Sequence, residues 1–251
     1  MPDMNSSQSK TQSGGSINRD SAAIPRWKRV LDITLIILAL PVLLPVMVCI
    51  AFIIRFASQG PILFRQERVG YLGKRFMCFK FRTMVAGIET ATHEGHLATL
   101  MSSNKPMEKM DTKGDPRIIP FGVPLRASGL DELPQIINVL RGDMSLVGPR
   151  PCVPYEFDKY LAWQKERFNT VPGLTGLWQV SGKNNTTFEE MIHLDIAYTK
   201  RKSVWLDLWI VFKTVPALIM QMIETRSRRK SRARAVRPVV SGPAVNPQSN
   251  S

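Results

Sequence analysis

Two adjacent carboxylates, Asp131 and Glu132, have the type and position to take part in a reaction. They begin a stretch in which apolar residues recur at helical spacing: Leu133, Ile136, Ile137 and Leu140. Pro134 is tolerated only in the first turn of a helix, so the helix is predicted to start near Asp131 and to stop at Gly142. Both carboxylates are therefore expected at the positive end of a helix dipole.

Two interpretations of this helix start are open. The simpler one is helix capping, with Ser128 or Asp131 as the capping residue. The other is an anion site, in which the helix start and the preceding Arg126 bind a diphosphate. Such a site could hold a divalent cation and a carboxylate nucleophile together with the anion.

Two further basic positions have the chemistry to bind phosphate. Arg150 lies between two prolines in P-R-P, and arginine is the side chain best shaped for bidentate phosphate contact. In Phe76–Met84 apolar and basic residues alternate, which predicts a strand with Lys80 and Arg82 on one face. A rigid surface loop and an ordinary half-exposed strand are the alternatives.

Several other chemistries are disfavoured. Neither G-x-x-x-x-G-K-[ST] nor G-x-G-x-x-G occurs, and no Ser-His-Asp arrangement is evident. His93 and His96 form H-E-G-H, which is not the metalloprotease pattern, within a polar stretch, 86–113, that we expect to be a variable insertion. Three scattered cysteines are too few for a disulfide framework and suit a reducing, cytoplasm-facing environment.

The charge is unevenly distributed along the chain. Lys and Arg total 34 against 20 acidic residues, a net charge of +14, and seven of the basic residues lie within 225–237. Residues 1–24 and 225–251 lack apolar periodicity, so both are predicted to be disordered tails, the second one basic. The part expected to fold is 25–224.

A membrane segment is predicted at Ile33–Ile54, which has 22 residues and no charge. Both of its flanks are basic, which suggests that both ends lie on the cytoplasmic side. Pro41 and Pro45 would bend the helix. A helix that enters the membrane and returns to the same face fits both features, and a kinked spanning helix is the alternative. In the later stretch Val204–Ile223, charged residues disfavour a second span, and tryptophans favour an interfacial helix over a core helix.

Taken together, these residues resemble the bacterial sugar transferases, the monotopic phosphoglycosyl transferases, over roughly Arg26 to Ile223. The motifs that carry the resemblance are K-R-x-x-D (Lys28, Arg29, Asp32), F-K-F-R-T-M (Phe79 to Met84), D-P-R (Asp115 to Arg117), L-R (Leu125, Arg126), L-D-E-L-P-Q (Leu130 to Gln135), G-D-M-S-L-V-G-P-R-P (Gly142 to Pro151) and P-G-L-T-G-L-W-Q-V-S-G (Pro172 to Gly182). The last block is most similar to exopolysaccharide enzymes that start a repeat unit with galactose or glucose.

The resemblance implies an α+β, mainly helical fold. It would contain a re-entrant membrane helix at 33–54, interfacial helices and a small cytosolic catalytic part within 60–224, at the cytoplasmic face of the bacterial inner membrane. It also implies transfer of sugar 1-phosphate from a UDP-sugar to undecaprenyl phosphate, with release of UMP and with Mg²⁺. The partners would be these substrates and membrane lipid, with no nucleic acid.

The resemblance also implies roles for single residues. Asp131 would be the nucleophile that attacks the sugar-bearing phosphate, and Glu132 would be its partner. Both would also bind the metal. Substrate binding is expected from basic residues in the shared motifs: Lys80, Arg82, Arg117, Arg126 and Arg150. Pro45 occupies the family's membrane-break position with Pro41 as an extra break, whereas Leu44 and Gly129 stand where serine is usual.

A rival hypothesis from a different class is a membrane-anchored adaptor that binds anionic lipid or nucleic acid through its basic surface. Polybasic segments gain about 1 kcal/mol per residue near anionic membranes. The acidic pair at an arginine-flanked helix start argues against it, because an adaptor does not need one.

Overall fold

The computed structural model describes residues 24–85, 117–182 and 186–235, and these form a mainly helical structure with two small two-stranded sheets. The predictions for the N-terminal tail, apart from Ile24, and for the insertion at 86–113 lie outside the described residues.

The membrane segment forms one long helix, α1 (Arg26–Ala57), which continues through both Pro41 and Pro45. Its buried apolar residues form a narrow stripe of Ile36, Ile50 and Ile54. Between 37 and 49 no side chain is buried, and most of these side chains are apolar and exposed. Such a surface needs an apolar environment that the folded part of the chain does not supply.

The start of α1 is fastened to the folded part by polar contacts. Lys28 makes a fully buried ion pair with Asp207. Arg29 donates hydrogen bonds to the carbonyl oxygens of Val139 and Leu140, and Asp32 accepts one from the backbone of Leu146 at 3.1 Å.

The end of α1 is fastened to the same body. Arg82 donates to the carbonyl oxygen of Ser58 at 2.9 Å and to that of Gln59. Ile50 and Ile54 pack with Phe81 and Leu125 in one apolar cluster. Both ends of this 32-residue helix therefore contact one folded unit.

Strands β1 (Leu63–Val69) and β2 (Arg75–Phe81) form an antiparallel hairpin, closed by a 3₁₀ turn at Tyr71–Gly73. The predicted alternation holds within β2, where Phe79 and Phe81 are buried and Lys80 is half-buried. The strand ends at Phe81, however, and Arg82 is only 4% exposed. Arg82 therefore does not share an exposed basic face with Lys80, because its guanidinium turns towards the end of α1.

The carboxylate-bearing region is a chain of short helices. Helix α2 (Gly122–Ser128) is followed by a 3₁₀ segment (Leu130–Gln135) and by helix α3 (Ile136–Arg141). The predicted stop is confirmed, since Gly142 ends α3 in the left-handed conformation.

Strands β3 (Ser145–Val147) and β4 (Gly173–Thr175) form a short parallel pair. Helix α4 (Pro154–Asp158) and a 3₁₀ helix (Trp163–Phe168) connect them, and helix α5 (Leu177–Val180) follows. The backbones of Gly148 and Gly173 approach so closely that a Cβ added to Gly173 would lie 2.0 Å from the Gly148 nitrogen.

Two longer helices complete the described chain. Helix α6 (Phe188–Arg201) begins with a capping box formed by Thr187 and Glu190, and helix α7 (Val204–Ala235) contains Pro216. Trp205 is 80% exposed near the start of α7. Because α7 continues to Ala235, the boundary predicted at 225 is not the end of a helix, and residues 225–235 are helical rather than disordered.

By length and composition, two of the described helices could cross a membrane: Arg26–Ala57 and the Val204–Ile223 part of α7. The acidic and basic residues in α7 led us to disfavour a second span, yet Asp207 is buried in the ion pair with Lys28 and is not exposed to lipid. The apolar face of α7 includes Phe212, Val215 and Ile219, all more than half exposed.

Candidate active site

The two carboxylates lie on the 3₁₀ segment, with Asp131 only 8% exposed. The segment has no side-chain cap, and the Ser128 hydroxyl instead donates back to the carbonyl oxygen of Pro124 within α2 at 2.8 Å. Capping by Ser128 or Asp131 is therefore wrong. The predicted single helix is also wrong, because a 3₁₀ segment precedes α3.

Gly129 has a structural reason to be glycine. It links α2 to the 3₁₀ segment with φ +73°, a conformation that side chains with a Cβ rarely adopt. A Cβ there would also lie 3.1 Å from a methyl group of Leu218. The glycine therefore fits the tight turn that directs Asp131 and Glu132, and does not loosen it.

Lys80 directly contacts one of the two carboxylates, Glu132. Its Nζ lies 2.9 Å from Glu132 Oε1, and the two side chains are 22% and 31% exposed. The hairpin supplies this contact, because β2 packs on the 3₁₀ segment and turns Lys80 towards it. At this exposure the pair contributes little stability, so we regard it as a polar site open to a ligand.

Arg126 and Arg117 lie close to the strand that carries Lys80. Arg126 donates to the Thr83 hydroxyl at 3.3 Å, and the Arg117 carbonyl oxygen accepts from the Val85 backbone at 2.8 Å. The F-K-F-R-T-M motif and the residue after it thus contact both arginines, Arg126 through its side chain and Arg117 through its backbone.

The P-R-P loop is held by a buried polar cluster. Arg167, fully buried, donates to the Arg150 carbonyl oxygen at 2.8 Å and pairs with Asp195 at 2.5 Å. The Arg150 guanidinium lies 3.7 Å from the carboxylate of Glu156, which in turn accepts from Tyr160. The loop that presents Arg150 is therefore rigid.

Burial sets the protonation of the groups behind this loop. It raises the pKa of the Tyr160 hydroxyl well above its ordinary value, so Tyr160 keeps the proton that it donates to Glu156. Burial also raises the pKa of Cys152 to about 12 and raises that of Cys78. Both thiols are therefore neutral and poorly nucleophilic at neutral pH.

The described residues determine what kind of metal site is possible. Among them, no group of three or more His, Cys, Asp or Glu side chains is arranged to hold a metal ion. Asp131 and Glu132 supply two carboxylates, and Mg²⁺ is commonly bound by one or two carboxylates together with substrate phosphates and waters. The residues present fit a Mg²⁺ ion that binds with a diphosphate, and not one enclosed by protein alone.

A largely apolar cavity of about 920 Å³ adjoins the Glu132 carboxylate. Its walls come from α1, α7 and β4, and Glu132 and Gly129 form part of its lining. Leu38 of α1 and Val215 of α7 line it and are also exposed on the outer surface of the protein. The cavity thus extends from the exposed apolar helices to Glu132.

The predicted site residues are only partly brought together. Lys80 contacts Glu132, and Arg150 and Glu132 both lie close enough to Arg68 and Cys78 to influence their pKa values. Arg82 instead donates a hydrogen bond to the carbonyl oxygen of Ser58, directly after α1, and Pro41 and Pro45 lie on the exposed part of that helix.

Sequence reasoning missed the burial of three basic groups. Lys28 was noted only in the K-R-x-x-D motif and among the basic residues that flank the membrane segment, and Arg167 carried no local signal because its partners are distant in sequence. Arg68 was also noted only as a flanking charge, and its burial follows from the pairing of β1 with the 151–152 loop.

Comparisons with known proteins agree with this geometry. The family model described as "Bacterial sugar transferase" matches residues 24–221. The chain is 37% identical over 193 residues to "Exopolysaccharide production protein ExoY" of Sinorhizobium fredii, covering 77% of this chain and 85% of the relative. It is 39% identical over 214 residues to "UDP-glucose:undecaprenyl-phosphate glucose-1-phosphate transferase" of Caulobacter vibrioides, covering 82% and 74%.

A third relative is longer. The chain is 37% identical over 198 residues to "Undecaprenyl-phosphate galactose phosphotransferase" of Salmonella typhimurium, covering 76% of this chain but 40% of that protein. The match to the family model includes α1, both sheets, the carboxylate pair and the apolar part of α7. This protein therefore belongs to the bacterial sugar transferase family.

Proposed function

We propose that this protein transfers sugar 1-phosphate from a UDP-sugar to undecaprenyl phosphate and releases UMP, as the first step of exopolysaccharide or other surface-glycan synthesis. The observation that carries the proposal is the acidic pair, of which Glu132 contacts Lys80 and lines the wall of an apolar cavity between two apolar helices. The names of the relatives support galactose or glucose as the sugar. They favour an enzyme over an adaptor.

In the first step, a carboxylate oxygen of Asp131 attacks the sugar-bearing phosphorus. The bond from that phosphorus to the bridging oxygen breaks, UMP leaves with the electron pair, and a phosphosugar-aspartate forms. Burial holds the Asp131 side chain in place, and Lys80, Arg126 and Arg150 balance the charge of the diphosphate.

In the second step, an oxygen of the acceptor phosphate attacks the same phosphorus. The aspartyl oxygen leaves, which restores the Asp131 carboxylate and gives a lipid-linked sugar diphosphate. Mg²⁺, with Asp131 and Glu132 as its protein ligands, would supply charge neutralisation of the diphosphate when bound.

The cavity suits the acceptor. Its walls are mainly apolar side chains of α1 and α7, which suit a polyprenyl chain. Glu132 forms the polar part of the wall, at the proposed reaction site. A lipid substrate would enter from the exposed apolar surface of these helices and place its phosphate near Asp131.

A re-entrant α1 is part of the proposal. A straight 32-residue helix is about 48 Å long, and a span would separate its ends by about 30 Å of hydrocarbon. Lys28 near its start and Ser58 after its end both bond to the folded part. This geometry supports both ends on the cytoplasmic side, with residues 37–49 immersed in the bilayer.

UMP release tests the function. Purified protein with Mg²⁺ and undecaprenyl phosphate should release UMP from UDP-galactose or UDP-glucose and form a lipid-linked product. A panel of UDP-sugars identifies the donor. If UMP is released from none of them, while the protein binds anionic vesicles, the adaptor is the better account.

Cysteine labelling tests the topology. In a variant carrying Cys49→Ser, cysteines placed at Gln12 and at the exposed Lys74 should react with an impermeant maleimide only after the cytoplasmic side is opened. The native thiols Cys78 and Cys152 give little background, because they are buried with raised pKa values.

Labelling of Gln12→Cys from the periplasmic side in intact cells would establish a span. The matched variant replaces Pro41 and Pro45 with leucine. It should restore the hydrogen bonds that proline cannot make and shift part of the population to a spanning helix.

A further inference from the structure

Arg68 is a buried cation whose charge none of the ion pairs above balances. It lies near the end of β1, is 8% exposed and, among the described residues, has no carboxylate partner within ion-pair distance. Burying a charge without a counter-ion costs free energy, so a buried Arg68 indicates that a bound ligand or nearby charges compensate it.

Its guanidinium is held but not saturated. One terminal nitrogen donates to the Pro151 carbonyl oxygen at 3.2 Å and the other to Gln66 Oε1 at 2.6 Å. The Nε–H of Arg68 is buried without an acceptor, and Nη1 of Arg150 is likewise buried without a hydrogen-bond acceptor. Arg68 Nε is thus an unused donor, whereas Arg150 Nη1 lies in the ion pair with Glu156 at 3.7 Å without a hydrogen bond.

The two arginines form one positive cluster, because Arg68 donates to the carbonyl oxygen of Pro151, the residue that follows Arg150. Burial first, and then the Arg150 charge, lower the pKa of Arg68, while Glu132 and Glu156 act in the opposite direction. The loop 150–152 is fixed to β1 by the Arg68 contact and by a 2.8 Å hydrogen bond from the Val69 backbone to the Cys152 carbonyl oxygen. The spacing of the two cations is therefore set by the fold.

We infer that Arg68 and Arg150 together form a phosphate-binding site next to Asp131 and Glu132. Guanidinium groups with open N–H donors bind phosphate oxygens through charge-assisted hydrogen bonds. The inference rests on the proposed function for the identity of the phosphate, which belongs to the nucleotide diphosphate or to the lipid acceptor.

The test compares Arg68→Gln with Arg75→Gln in the intact protein. Arg75 lies on the paired strand and is 59% exposed, and within the described ranges its ion pair is with Glu67 at 3.4 Å, so its loss should leave both affinities and the acceptor KM unchanged. Affinities for UDP and uridine are measured by calorimetry and competition, and the KM for a short-chain polyprenyl phosphate by UMP release.

Loss of Arg68 should weaken one phosphate-bearing ligand by about tenfold to a hundredfold and leave uridine binding unchanged. A fall in UDP affinity assigns the site to the donor, and a raised acceptor KM with normal UDP affinity assigns it to the acceptor. Wild-type values for both in folded Arg68→Gln overturn the inference, as does an equal loss of uridine binding.

A second variant covers the case in which Arg68→Gln does not fold. Arg68→Lys keeps the charge but removes Nε and the planar fork, so a loss of several-fold is expected, and wild-type affinity would overturn the inference. Turnover of the wild-type enzyme in the same preparation tests the proposed function separately, because UDP affinity does not depend on catalysis.

Discussion

Asp131→Asn is expected to lower turnover by roughly a thousandfold or more while UDP binding remains close to normal. The amide keeps the shape of the side chain within the tight 3₁₀ segment but cannot form the phosphosugar-aspartate. Wild-type enzyme should also release UMP before acceptor is added, in an amount equal to the enzyme concentration. The measurement is rapid-mixing UMP release with and without undecaprenyl phosphate.

Asp158→Asn is the matched control. Asp158 is exposed at the end of α4, so the same chemical change there should leave turnover unchanged. Substantial activity of Asp131→Asn, together with no stoichiometric burst from the wild-type enzyme, would favour direct transfer between the two substrates and would remove Asp131 as the nucleophile.

Lys28→Met is expected to lower the free energy of unfolding by about 3–5 kcal/mol, because it leaves Asp207 buried without its cation. The pair joins the first turns of α1 and α7, and the Tyr198 hydroxyl donates to Asp207 at 2.7 Å within it. A loss of this size is a large fraction of the stability of a typical domain. Denaturant unfolding in detergent, followed by tryptophan fluorescence, measures it.

The exposed pair of Lys200 and Glu166 provides the comparison. Its nitrogen–oxygen distance is 2.9 Å, but the side chains are 66% and 44% exposed, so Lys200→Met should cost about 1 kcal/mol or less. Replacing Lys28 by Met and Asp207 by Leu together should recover much of the loss, because no buried charge then remains unpaired. Equal costs for Lys28→Met and Lys200→Met would contradict this role of the buried pair.

Local patterns in the sequence were sufficient for the long helix α1, for β2 and for the end of α3 at Gly142. The uncharged run Ile33–Ile54 predicted the long helix, and the alternation of phenylalanine with basic residues predicted β2. Pro134 and Gly142 predicted where the helical region next to Asp131 starts and stops. These are short-range signals, because helix and strand periods are visible within a few residues.

The contacts between distant segments were not predictable from these patterns. Lys28 contacts Asp207, which is 179 positions away in the sequence. Arg167 contacts Asp195 only once the chain has packed around the apolar cluster that includes α6. Arg82 illustrates the same limit: its place in a basic alternation suggested an exposed face, whereas the end of α1 provides carbonyl oxygens that draw it inward. The 3₁₀ geometry of Leu130–Gln135 was likewise hidden, because its apolar spacing also suits an α-helix.

The contact between Gly148 and Gly173 has a consequence for protein engineering. Alanine at Gly173 would meet backbone at 2.0 Å, and alanine at Gly148 would lie 2.5 Å from the Val171 carbonyl oxygen. Neither obstacle is a side chain that could rotate away, so a mutant library intended to change donor preference would lose most members that alter these two glycines.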